Sequence, residues 1–140
     1  MPRIKGDRRT LSVTVDGAEQ RGSFVDVEDF NWNPDATIDE IDVLGASATQ
    51  YEVQHNGYKF DFSLYKNDSA AVRFYQRLVD QLRGGERPII NLTVITDLGG
   101  GNVETLVFLD VSLKLDDEKS SRKSFVKNKF SGACGEMRQF

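Results

Sequence analysis

The stretch Gly57–Tyr65, GYKFDFSLY, decides the fold of this chain. Its apolar residues alternate one by one with polar residues, and they are Tyr58, Phe60, Phe62 and Leu64. A period of two is typical of a β-strand with one buried face. The same period recurs in residues 11–16, LSVTVD, and in residues 109–115, LDVSLKL. The sequence therefore predicts a domain built mainly from antiparallel strands.

Turn residues separate these strands at short intervals. Asp16-Gly17, Asn56-Gly57 and the stretch 97–102, DLGGGN, can all adopt positive φ at low cost. We expect the last of them to join strand 88–97, PIINLTVITD, to the residues that follow as a hairpin. The apolar residues of PIINLTVITD occupy both faces, which predicts a strand covered on both sides. His55 is predicted at a hairpin tip, and seven to nine strands are expected in all.

One segment has a helical period instead. Residues 69–83 carry apolar side chains at the spacing of an amphipathic helix, namely Val72, Tyr75, Leu78, Val79 and Leu82. Asp68 or Ser69 is expected to cap its first amides, and Gly84-Gly85 to end it. The predicted fold class is thus mainly β: an antiparallel β-sandwich or barrel with one amphipathic α-helix, about residues 69–83, packed against it.

The length of 140 residues fits a single domain, 1–140. Residues 1–9 form a polar N-terminal tail, and no secretory signal or membrane span is expected. Residues 31–54 have the weakest alternation, and we predict an extended loop or hairpin arm there. A segment of that length inside a compact domain is usually functional or reaches another subunit.

Charge is segregated along the chain. The net charge is −4, yet residues 22–58 hold eight acids and no Lys or Arg. The acids singled out are Asp35, Asp39, Glu40 and Asp42, and the basic residues singled out are Arg122, Lys123, Lys127 and Lys129. Such segregation suits a self-complementary assembly. The alternative is that these residues are simply solvated.

The sequence offers little catalytic chemistry, and we expect no enzyme, no cofactor and no metal site. It has one Cys and one His, Cys134 and His55, which leave a Cys–His dyad open. Carboxylate-only catalysis by a pair such as Asp61 with another acid is also left open. The acidic run lacks the spacing of a calcium loop. A sequence pI near 5.0 argues against tight binding to nucleic-acid phosphates.

The order of elements resembles that of phage tail tube proteins. The resemblance rests on residues 27–68, VEDFNWNPDATIDEIDVLGASATQYEVQHNGYKFDFSLYKND, followed by the helix. It continues through PIINLTVITD, the glycine turn and residues 103–115, VETLVFLDVSLKL. The resemblance covers about residues 10–130. Tube initiator subunits share the same pattern, and the chain is also similar to the subunits of secretion-system tube rings.

The resemblance implies a structural virion protein that self-assembles. Its copies would form hexameric rings that stack through residues 31–54 into a hollow tail tube, and DNA would pass without specific binding. Asp35, Asp39, Glu40 and Asp42 would be inter-ring or lumen acids, and Arg122, Lys123, Lys127 and Lys129 a basic interface. Partners would include sheath, tape-measure and baseplate proteins, with assembly in the host cytoplasm. The alternative is a monomeric adaptor or a small-ligand-binding β-barrel domain.

Overall fold

The computed structural model describes residues 9–20, 24, 27–42, 44–45 and 48–140, so most of the predicted N-terminal tail lies outside it. The elements follow in the order β1 (Arg9–Val15), β2 (Ala18–Glu19), β3 (Val27–Ile41), β4 (Gln50–Tyr65), α1 (Ala70–Arg83), β5 (Ile90–Gly99), β6 (Asn102–Leu109), β7 (Ser112–Ser121), β8 (Ser124–Cys134) and β9 (Glu136–Gln139). One sheet has the strand order β2-β1-β5-β6-β9 and the other β3-β4-β8-β7, with antiparallel pairing throughout. The fold is a β-sandwich with one helix, as the alternation predicted, and not a closed barrel.

Aromatic side chains fill the space between the two sheets. Phe62, Phe108 and Phe130 have no exposed surface, and the rings of Phe62 and Phe130 stack with centroids 5.4 Å apart. Leu92 and Val94 of β5 are each only 1% exposed and face the same interior. Burial of this apolar surface is the main driving force for folding. A ligand-binding barrel would need a pocket where these rings lie.

The helix forms where it was predicted, and its buried face overlaps the predicted apolar face in part. Ala71, Phe74 and Leu78 lie in the core, whereas Leu82 is 59% exposed. Phe74 sets this orientation because its ring meets the edge of Phe24, with centroids 5.0 Å apart. Of the predicted apolar residues, Leu78 is buried and Tyr75 packs against the core, so the predicted face is confirmed in part, and its centre is shifted toward Phe74. No helix in the described part of the chain is long and apolar enough to cross a membrane.

Two predicted hairpin turns are confirmed. Asp16 and Gly17 have φ of 51° and 84°, and they join β1 to β2. Gly100 and Gly101 have φ of 61° and 81°, and they join β5 to β6. Positive φ at both central residues is the geometry of a type I′ turn, which suits the twist of the strands it joins.

Two predictions about individual strands were wrong. Residues 109–115 are not one strand, because Asp110 has φ of 50° and the chain there leaves β6 and enters the other sheet as β7. The backbone N–H of Asp110 donates to Oδ1 of Asn91 at 3.1 Å, which stabilises this crossing. The outer face of β5 is not covered either, since Ile89 and Ile95 are 57% and 38% exposed.

Candidate assembly surfaces

A two-stranded arm extends beyond the four-stranded sheet. Strands β3 and β4 pair with each other throughout, but β8 accompanies β4 only as far as Tyr58, opposite Cys134. Beyond that point residues 36–41 and 50–55 pair with each other and with no other described strand, and we call them the arm. Residues 31–54 thus lie mostly in paired strands. Their alternation is weak because both faces of the arm meet solvent.

One face of the arm is apolar and exposed. Ile38 and Val53 lie opposite each other in the pairing, and their side chains are 70% and 64% exposed. Two residues further out, Tyr51 lies opposite Glu40 and is 68% exposed. Residues paired in this way share a face. We call Ile38, Tyr51 and Val53 the apolar face of the arm; adjacent exposed apolar side chains of this kind are typical of interaction sites.

The arm begins at an irregularity in the pairing of β3 with β4. Asn56 has no partner residue there, and Gly57 follows with φ of 125°. A Cβ atom on Gly57 would lie 2.4 Å from the backbone oxygen of Cys134, so only glycine fits beside β8. The Asn-Gly pair had predicted His55 at a hairpin tip, and this was wrong, because His55 lies inside strand β4. Its ring packs against the edge of Tyr58, with centroids 4.8 Å apart.

The candidate acids of the arm do not converge on one point. Asp35, at the base of the arm, forms an ion pair with Lys59, with 3.7 Å between Nζ and Oδ2. Asp39 and Glu40 are neighbours in β3, so their side chains lie on opposite faces of the arm. Asp42 follows β3 and is exposed. Among the described residues, no group of three or more acidic, histidine or cysteine side chains is placed to hold a metal ion.

The candidate basic residues fall into two sets, and the first occupies the turn between β7 and β8. Arg122 and Lys123 form the centre of this turn and are exposed, and no ion pair joins either of them to another described residue. Phe125 follows them, 80% exposed, and its ring meets that of Tyr65 with centroids 5.9 Å apart. We call residues 121–125 the basic turn. A large exposed ring beside two cations is the chemistry of an interface anchor.

The second set, Lys127 and Lys129, lies in strand β8, where acidic residues of the same chain are close by. Nζ of Lys127 lies 2.9 Å from a carboxylate oxygen of Glu28, and 5.2 Å from the centre of the Tyr65 ring. The hydrogen bond to Glu28 raises the pKa of Lys127 above its usual value. Lys129 is exposed and lies opposite Asp117 of β7. These two lysines therefore have acidic neighbours of their own.

The arm and the basic turn lie at opposite ends of the same sheet. Strand β4 begins in the arm at Gln50 and ends at Tyr65. Tyr65 lies opposite Lys127, close to the basic turn. The acids of the arm and the basic turn thus lie at the two ends of one elongated sheet, whereas Glu28 of the same acidic segment lies beside Lys127.

Cys134 and His55 do not form a dyad. The Cys134 thiol donates to the backbone oxygen of Glu136 at 3.4 Å, and the ring of His55 packs against Tyr58. Burial raises the pKa of the Cys134 thiol, so the reactive thiolate is disfavoured. This arrangement is that of a structural cysteine.

The apolar face and Phe125 were missed in the sequence, although a signal for the first was present. The residues YEVQH, 51–55, alternate with period two, which is typical of a strand with one apolar face. For Phe125 the sequence held no comparable signal, since its exposure depends on where β8 begins.

Comparison with known proteins gives the fold a family context. No protein-family model matches the chain, and no curated protein matches it in sequence. Solved structures do match it over its whole length. With a TM-score of 0.61 and 8% identity, the chain is similar to a chain of the anti-feeding prophage baseplate, covering 100% of this chain and 96% of that one. It is also similar to a chain of the sheath/tube terminator of an extracellular contractile injection system, PVC, with a TM-score of 0.63, 9% identity and coverages of 100% and 98%.

A third match is a chain from the tail of an empty GTA particle, with a TM-score of 0.57, 11% identity and 99% coverage of both chains. The fold is that of phage-tail and injection-system tube proteins. The resemblance that the element order indicated is thus confirmed at the level of the fold. All three neighbours are parts of tail or injection particles and not enzymes.

Proposed function

We propose that this chain is a structural subunit of a phage tail or tail-like particle, whose copies form hexameric rings that stack into a hollow tube. The observation that carries the proposal is the match over the whole chain to components of such particles. Two of these, the baseplate and the GTA tail, were determined with sixfold symmetry. The proposed location is the tail of the virion, assembled in the host cytoplasm.

Open sheet edges support association into a ring. The four-stranded sheet ends on one side with β3, of 15 residues, and on the other with β7, of 10 residues. Neither strand has a second neighbour among the described residues, so one row of its backbone groups is unpaired. Long open edges are a liability in a monomer, and a closed ring converts them into interfaces.

Stacking of the rings is assigned to the arm. It projects past the end of β8 and carries exposed apolar and acidic side chains, which a neighbouring subunit would cover. Asp35, Asp39, Glu40 and Asp42 are the proposed inter-ring or lumen acids. Arg122, Lys123, Lys127 and Lys129 are the proposed basic interface, toward a neighbouring copy or toward sheath, tape-measure or baseplate proteins.

The net charge of −4 suits a channel that DNA passes through without binding. Phosphate groups are held chiefly by Lys and Arg, so a wall with excess carboxylates repels the duplex. The acids on the arm provide such carboxylates if the arm lines the channel.

Negative-stain electron microscopy of the purified chain tests the proposal, with light scattering over a concentration series on the same sample. Rings of sixfold symmetry, or tubes built from them, are expected. A strict monomer at every concentration would contradict the ring and favour a monomeric adaptor that binds its partner through the arm.

A further inference from the structure

The two ends of the four-stranded sheet are chemically complementary. At one end, the arm presents Ile38, Tyr51 and Val53, with Glu40 opposite Tyr51 on the same face. At the other end, the basic turn presents one exposed aromatic ring with two cations beside it. Both ends expose apolar side chains, the arm carries acids and no Lys or Arg, and the basic turn carries two cations that no described carboxylate pairs with.

We propose that the basic turn of one copy docks on the apolar face of the arm of the next copy, so that copies join head to tail. This inference rests on the proposed function, because it names the surface that receives the arm when rings stack. Phe125 covers the Ile38–Val53 pair, and Arg122 and Lys123 meet the acids that flank it. Aromatic anchors surrounded by polar residues are the usual composition of the energetic centre of an interface.

The contact has to be between molecules, because the two ends cannot meet within one chain. Strand β4 joins them and spans residues 50–65. At about 3.3 Å per residue, its 16 residues separate the ends by about 50 Å. Two different patches on opposite ends make a heterologous contact, which repeats along an axis when its rotation does not close into a ring. That geometry stacks subunits along a tube.

The other charged groups at each end support this pairing. Residues 22–58 contain no Lys or Arg, so nothing on the arm repels the incoming cations. Near the basic turn, Lys66 and Lys127 are already paired with Glu118 and Glu28. Arg122 and Lys123 are therefore available to pair with acidic groups of another molecule.

Two variants, each defective at one end, test the contact. The turn variant carries Arg122→Glu, Lys123→Glu and Phe125→Ser, and the arm variant carries Ile38→Ser and Val53→Ser. Because all five side chains are exposed, both variants are expected to fold, which circular dichroism and thermal melting will verify. The double variant Arg77→Glu and Arg83→Glu is the control, since it reverses the charge of two exposed side chains on the helix.

Sedimentation velocity measures association of each variant alone and of their equimolar mixture. Each variant alone is expected to need at least about tenfold more protein than the wild type to stack, because an anchor and its charge partners are lost. The mixture is expected to form one head-to-tail contact, between the intact turn of the arm variant and the intact arm of the turn variant. The helix control should stack like the wild type.

Stacking of the turn variant at the wild-type concentration would overturn the inference, and so would a mixture that associates no better than its components. If the wild type forms sixfold rings but the mixture does not associate, the docking is wrong and the proposed function stands. If the mixture associates and microscopy shows no rings, the docking stands and the ring is wrong.

Discussion

Replacing Gly57 by alanine should destabilise the sandwich at the point where the arm leaves it. The φ of Gly57 is 125°, a region that residues with a side chain rarely adopt. A Cβ atom there would also lie 2.4 Å from the backbone oxygen of Cys134. Because that oxygen belongs to the paired strand β8, the strand itself would have to move.

The two effects set the magnitude of the loss. Holding alanine in a left-handed backbone conformation costs about 1–2 kcal/mol. Displacing packed backbone to make room costs about 1–3 kcal/mol more. The expected loss in the free energy of unfolding is therefore about 2–5 kcal/mol, a large part of the roughly 5–15 kcal/mol typical of a domain.

Urea denaturation followed by tryptophan fluorescence measures this loss. Trp32, the only tryptophan, packs against Phe108 with ring centroids 5.9 Å apart, so its emission reports unfolding of the sandwich. Two alanine variants serve as controls. Gly85→Ala has a positive φ of 84° and open space, and should lose about 1–2 kcal/mol. Gly135→Ala has open space and no positive φ, and should change stability by less than about 0.5 kcal/mol. Equal losses for Gly57→Ala and Gly85→Ala would refute the steric argument.

Three further predictions concern single groups of side chains. Asn128 is 1% exposed, and neither polar atom of its side-chain amide has a hydrogen-bond partner among the described residues. Asn128→Leu should therefore raise the free energy of unfolding, measured by urea denaturation, by about 1–3 kcal/mol. A lower free energy of unfolding would show that the amide is hydrogen-bonded. Burial raises the pKa of the Cys134 thiol in the folded state above its usual value of 9.0. The protonated thiol therefore contributes its full stabilisation below pH 9.0, and this stabilisation is lost as the pH rises through the folded-state pKa. The wild type should then lose more stability than Cys134→Ala between pH 8 and pH 10.5, and equal losses would contradict this. Replacing Asp39, Glu40 and Asp42 together by Asn, Gln and Asn should weaken stacking in light scattering while leaving the urea midpoint unchanged or higher; unfolding of this variant would show that the acids are structural.

The sequence alone predicted the elements whose causes are local. Period-two alternation fixes which face of a strand is buried, and Phe60, Phe62 and Leu64 are all in the core. Asp16-Gly17 and the glycine run 99–101 made turns because few other residues adopt positive φ. The helix at 70–83 followed from its 3.6-residue period and from the capping carboxylate of Asp68, which accepts from the backbone N–H of Ala70 at 2.8 Å.

Packing against distant residues decided what the sequence could not. Local apolar spacing predicted Leu78 and Tyr75 on the inner face of the helix, but not the central place of Phe74, which packs against Phe24, some 50 residues earlier. The Asn-Gly pair at 56–57 made an irregularity in a strand because β8 packs beside Gly57. The same pairing also decided the placement of charge. The sequence showed an acidic segment and a basic segment, but only the register of β4 with β3 and β8 places the arm acids and the basic turn at opposite ends of one sheet. The same register brings Glu28 of the acidic segment beside Lys127.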